Sequence, residues 1–89
     1  MQDTLSIKTE KKTIVSKPFD FAAMCMVNEK HNDEKVKGPL DMCKDAVDYM
    51  FEGTEATQEV IDNLSVNVRA KLCLAVWNMY IDALTAKNE

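Results

Sequence analysis

Three cysteines and one histidine are the side chains of this 89-residue sequence that could ligate a metal or act as a nucleophile. Zinc sites and redox motifs place cysteines in patterns such as CxxC. Cys25, Cys43 and Cys73 are widely separated, and His31 opens a polar stretch. An odd set without close spacing is not a disulfide framework, so it indicates a reducing, intracellular compartment. We expect structural thiols on apolar faces, a surface histidine, and neither metal nor cofactor.

Enzyme motifs are missing from the sequence as well. It contains no GxSxG, no HExxH and no glycine-rich phosphate loop. Its two glycines are too few for a phosphate cradle. We therefore predict that the protein is not an enzyme.

Acidic side chains form a row on the predicted second helix. Placed 100° apart, Asp41, Asp45, Asp48 and Glu52 fall on one side. Like charges four residues apart cost a few tenths of a kcal/mol, and such runs are typical of a solvated helix face. The alternative is a docking surface for a basic partner. Calcium and magnesium fit poorly, because these carboxylates spread along a helix instead of converging on one ion.

Charge is distributed unevenly along the chain. Residues 1–17 carry four lysines and two acidic residues, a net charge of +2, whereas residues 18–89 have a net charge of −6. The acidic body would repel nucleic acid phosphates, so we predict no nucleic acid partner. No apolar run approaches the length of a membrane span, and the N-terminus lacks the apolar region of a secretory signal. We predict no membrane association.

The predicted fold class is all-α. We expect a small bundle of about four helices at residues 18–30, 39–51, 56–64 and 66–86, forming a single helical domain over residues 18–89. Pro18 suits the first turn of a helix, and Gly53 suits a left-handed C-cap. Thr54 or Thr57 can cap the third helix, and Ser65 the fourth. Residues 1–17 alternate weakly without a clear second strand, which predicts an extended or flexible arm or a lone edge strand.

The fourth helix carries more apolar surface than a helix facing one core needs. Cys73, Val76 and Tyr80 define one face, and Leu74 and Ile81 lie well outside it. Either this helix is central in the bundle or part of it meets another molecule. We expect self-association or a partner complex at micromolar concentration. The predicted partner-binding residues are Leu74, Ile81, Met79, Asp41, Asp45, Asp48 and Glu52.

The core should contain the aromatic side chains of the fourth helix. We expect Trp77 and Tyr80 to pack against the first and second helices.

Three segments, taken in order and spacing, resemble a known family. "KPFDF" opens the first helix, "AVDYMFEGTEATQEVIDNL" forms a helix, a turn and a short helix, and "LCLAVWNMYIDAL" lies in the terminal helix. Over residues 17–85 the sequence is similar to the tail assembly chaperones of long-tailed phages and prophages of Gram-positive bacteria, most specifically in "MFEGTEAT".

The resemblance implies a function. Such a protein binds the long tape measure protein, keeps it soluble and brings tail tube protein onto it. It acts in the host bacterial cytoplasm and is absent from the mature virion. Two alternative functions belong to other classes of protein. One is an acidic phage inhibitor that mimics DNA, and the other is a small helical regulator that acts by protein–protein contact. The acidity of residues 39–64 and the isolated Arg69 argue against a DNA-reading helix-turn-helix.

The resemblance also implies a second, longer product made by a −1 ribosomal frameshift near the end of the frame. Ala86, Lys87 and Asn88 could be encoded as GCA-AAA-AAC, which contains a slippery run. The nucleotide sequence of the gene decides this expectation.

Overall fold

The computed structural model describes residues 3–85 and has four helices and one two-stranded sheet within that range. In chain order the elements are β1 (Ser6–Lys8), β2 (Thr13–Val15), α1 (Phe21–His31), α2 (Pro39–Phe51), α3 (Gln58–Asp62) and α4 (Val66–Thr85). The protein is mostly helical, as predicted. The prediction of a purely all-α fold is wrong, because the segment expected to be an arm contains the sheet.

The N-terminal segment is an antiparallel hairpin with Ile7 opposite Ile14. Leu5 and Ile7 are 2% and 1% exposed and belong to the same buried cluster as Phe51 of α2. The Leu5 amide donates to the Ser16 hydroxyl at 2.7 Å, which closes the open end of the hairpin. Alternate side chains of a strand share one face of the sheet. The weakly alternating apolar residues therefore form the buried face of a strand pair instead of a lone edge strand.

Helix α1 begins three residues later than expected. The Asp20 carboxylate accepts a hydrogen bond from the Ala23 amide at 2.9 Å, so Asp20 is the N-cap and Pro18 lies outside the helix. The same carboxylate accepts a hydrogen bond from the Tyr49 hydroxyl at 2.9 Å. These two bonds lower the pKa of Asp20. One side chain therefore both starts α1 and fastens it to α2.

The joint between α2 and α3 follows the sequence prediction closely. Helix α2 occupies the predicted range, and Gly53 follows it with a φ of +81°, a conformation that glycine adopts without strain. The Thr54 hydroxyl donates to the Phe51 carbonyl at 2.6 Å. Thr57, not Thr54, caps α3. Helix α3 has five residues and is shorter than the predicted 56–64.

Helix α4 starts as predicted, because the Ser65 hydroxyl accepts a hydrogen bond from the Val68 amide at 3.2 Å. The structure follows it to Thr85; the predicted end at Ala86 and the frameshift expectation at residues 86–88 fall outside the described residues. The central helix is α2, since it packs against both α1 and α4 whereas α1 and α4 touch each other lightly. Central position therefore does not account for the wide apolar surface of α4.

Candidate interaction surface on helix α4

One side of α4 is an apolar strip that the rest of the described chain leaves partly open. We name it the α4 strip; its members are Ala70, Leu74, Trp77, Ile81 and Leu84. They are separated by four, three, four and three residues, the spacing of a coiled-coil seam. Leu74, Ile81 and Leu84 are 45%, 36% and 54% exposed, and Ala70 and Trp77 are half-buried. The spacing of the strip is the one at which apolar side chains of one helix pack against a second helix in coiled coils.

The core face of α4 lies next to the strip and consists of Leu72, Cys73, Val76, Met79 and Tyr80, all buried. Met79 is 5% exposed, so it cannot serve as the partner contact that the sequence suggested. The predicted contacts at Leu74 and Ile81 are accessible. Leu84 is on the surface because the buried part of α4 ends near Tyr80.

An aromatic cluster joins the strip to α1. The Trp77 ring centroid is 5.5 Å from that of His31 and 5.4 Å from that of Tyr80. The Tyr80 hydroxyl donates to the Asn28 side-chain oxygen at 2.7 Å. His31 is exposed, as expected, but it ends α1 instead of opening a loop. The cluster packs against one side of the Trp77 indole, at the middle of the strip.

Two charged residues lie along one edge of the strip. Lys71 and Asp82 are exposed, and neither forms an ion pair with any residue in the range 3–85. At 100° per residue they are about 20° apart around the helix, and they are about 16 Å apart along its axis. Trp77 lies almost midway between them. A partner helix on the strip would pass both charges.

The predicted acidic row is largely neutralised by its neighbours. The Lys44 ammonium is 3.7 Å from the Asp41 carboxylate, and the Lys30 ammonium is 3.6 Å from that of Asp45. Burial raises the pKa of Asp48, and the Arg69 guanidinium partly offsets this. Only Glu52 is exposed without an ion pair inside the described range. This arrangement is that of a compensated helix surface and is a poor mimic of a phosphate row.

Part of the same row borders an open groove of about 420 Å³ between α2 and the joint. Asp45, Asp48 and Glu52 stand on its rim, and Phe51 and Ile61 are among its apolar lining residues. Asp41 does not reach it and instead borders a smaller groove with Leu40 and Val66. The structure thus brings three of the four carboxylates together and separates the fourth.

The cysteines divide into one accessible and two buried thiols. Cys25 on α1 is exposed, which corrects the expectation that all three cysteines are structural thiols on apolar faces. Cys43 and Cys73 are buried, and burial raises the pKa of Cys43 to about 12, with the nearby Cys73 adding to the effect. Burial also raises the pKa of Cys73. A thiol that stays protonated and covered is a weak nucleophile.

Alkylation with iodoacetamide should therefore modify a single thiol in the native protein. We expect fast loss of one thiol at pH 8, measured by mass spectrometry, and modification of the other two only in denaturant. The Cys25→Ser variant is the control and should react negligibly while folded. Rapid modification of two or three thiols in the native protein would show that α2 and α4 do not shield Cys43 and Cys73.

No helix in the described range is both long enough and apolar enough to cross a membrane. No set of three or more His, Cys, Asp or Glu side chains within residues 3–85 is arranged to hold a metal ion.

The chain matches no family model, no curated protein and no solved structure. The case for a function therefore depends on the surface of the chain itself and on the resemblance of its sequence segments.

Proposed function

We propose that this protein is a phage tail assembly chaperone that binds an apolar helical segment of the tape measure protein along the α4 strip. The observation that carries the proposal is the strip itself, a heptad-spaced row whose Leu74, Ile81 and Leu84 are 36% to 54% exposed on a small acidic domain. Exposed apolar rows of this kind are typical of protein interaction sites. The named client comes from the sequence resemblance.

The proposed binding mode is a helix laid against a helix. A client helix with apolar residues at matching intervals would cover Leu74, Trp77 and Ile81 and lose its own contact with water. Full burial of an exposed apolar side chain contributes about 1.5–3 kcal/mol. Three partly exposed anchors therefore supply part of the binding free energy, and the apolar side chains of the client helix must supply the rest to offset the cost of association. Binding would keep an apolar segment of the client from aggregating, and a second contact would recruit the tail tube protein. The protein would act in the host cytoplasm and be absent from the mature virion.

The first test is gene order. A tail tube gene upstream and a very long open reading frame downstream support the proposal. If the neighbouring genes include no long reading frame with helical heptads, the proposed client has no source.

The second test is binding by calorimetry, with fragments of that reading frame titrated into the wild-type protein. The Leu74→Asp/Ile81→Asp double variant should weaken binding by at least about a hundredfold, because two charges would be buried against apolar side chains. A matched control is Val15→Asp/Val68→Asp, which adds the same charge at two other side chains, 55% and 38% exposed. Val68 lies on the opposite side of α4 from the strip. Equal loss in both double variants would contradict a specific role for the strip.

A further inference from the structure

We infer that, in the free protein, a second copy of this chain covers the α4 strip, with the two α4 helices antiparallel about a two-fold axis near Trp77. The inference adds a state to the proposed function: the strip is covered by another copy until a client helix replaces it. Three features carry it, namely the spacing of the strip, its exposure, and the placement of Lys71 and Asp82; the size of the surface sets the strength of the pair.

The strip is complementary to itself. Its five apolar members repeat at the intervals that let side chains of one helix fit between those of another. Ala70, the smallest, lies at one end, and the largest, Trp77, lies at the centre. A two-fold axis near the centre brings Trp77 close to its own copy and sets Leu74 of each chain near Ile81 of the other. A closed pair with the same surface on both sides is the commonest form of homo-oligomer.

The edge charges select the antiparallel arrangement. Lys71 is six residues before Trp77, and Asp82 is five residues after it, on the same edge of the strip. In an antiparallel pair, Lys71 of each copy lies opposite Asp82 of the other, which gives two attractive contacts. In a parallel pair, the two-fold axis runs along the helices and puts the charged edges of the two copies on opposite sides, so neither attractive contact would form. Since neither side chain has an ion pair within residues 3–85, both are available for the contact.

The size of the surface predicts a weak pair. The strip spans about 21 Å of helix about 10 Å wide, so two copies would bury on the order of 400 Å² in total. Stable protein interfaces bury about 1,200–2,000 Å². We therefore expect a dissociation constant of roughly tens to hundreds of micromolar. A client helix that makes more apolar contact with the strip would bind more tightly and displace the second copy.

Sedimentation equilibrium of the full chain tests the inference by charge reversal. Lys71→Glu and Asp82→Lys should each weaken dimerisation by about tenfold, because two attractive pairs become two like-charged pairs. The Lys71→Glu/Asp82→Lys double variant should restore the wild-type dissociation constant to within about threefold. Lys37→Glu, which reverses an exposed charge in the loop before α2, should have no effect. Far-UV circular dichroism of each variant should match the wild type.

Two results would overturn the inference. One is a wild-type protein that stays monomeric at about 1 mM, and the other is a double reversal that fails to restore association. The outcome is separable from that of the proposed function. A protein that binds tape measure fragments but stays monomeric contradicts only the paired state. A protein that pairs as described but binds no fragment contradicts only the chaperone proposal.

Discussion

Deletion of residues 1–16 should abolish cooperative unfolding of this domain. Leu5 and Ile7 are at most 2% exposed and Ile14 is 8% exposed, so the deletion uncovers the face on which three large apolar side chains pack. At about 1.5–3 kcal/mol for each buried side chain, the loss is roughly 5–9 kcal/mol. Small domains are typically stable by only about 5–15 kcal/mol. Thermal melting followed by circular dichroism should change from a sigmoid to a broad, featureless slope.

Point variants separate the loss of packing from the loss of chain length. Ile7→Asp should reproduce the deletion, because it buries a charge in the core. Lys8→Asp changes the neighbouring exposed position and should leave the melting temperature within a few degrees. If the deleted protein melts like the wild type, the hairpin is peripheral and the earlier interpretation of a flexible arm is correct.

The second large effect is expected at Tyr80. Its side chain is 1% exposed, and its hydroxyl donates to Asn28 of α1. Tyr80→Ala should cost about 3–5 kcal/mol of the free energy of unfolding, as large-to-small changes of buried aromatics do. Trp77→Ala should cost less, about 1–2 kcal/mol, because the indole is only half-buried and belongs to the partly exposed α4 strip. Urea denaturation of the two variants measures the difference.

Tyr80→Phe supplies the control for this pair. It keeps the packing and removes the hydrogen bond to Asn28, so the expected loss is about 1 kcal/mol. Trp77 fluorescence should remain unchanged in Tyr80→Phe, since the ring of residue 80 stays in place beside the indole. A larger loss for Trp77→Ala than for Tyr80→Ala would mean that the inner face of α4 is centred on the indole.

Much of the helical part of the fold can be predicted because its signals are local. Gly53 and Ser65 mark the end of α2 and the start of α4, and the apolar period of α2 is regular. The start of α1 was misplaced because Pro18 suits a first turn. The capping side chain of Asp20, which also bonds Tyr49, decides the boundary instead. A bond to a residue 29 positions away leaves no local trace in the sequence.

The hairpin and part of the site could not be predicted for a related reason. The strands have three residues each, and the turn near Thr9 contains neither glycine nor asparagine, so the usual hairpin signals are missing. The hairpin is stabilised by the burial of Ile7 and Ile14 in the core, which is a tertiary effect. In the candidate site, Leu74 and Ile81 were predicted as surface contacts, whereas Met79 was not recognised as buried. The heptad spacing from Ala70 to Leu84 is visible in the sequence and would have excluded Met79.

The hydrogen bond from the Lys17 amide to the Met50 carbonyl, at 2.9 Å, also constrains when the chain can fold during synthesis. These residues are 33 positions apart, so at about 5–20 residues per second the ribosome adds the second roughly 2–7 s after the first. Until α2 has emerged, Leu5 and Ile7 have no core to enter. A translational pause before Phe51 would leave an apolar N-terminus open to aggregation, whereas a pause after α2 emerges would let the hairpin close.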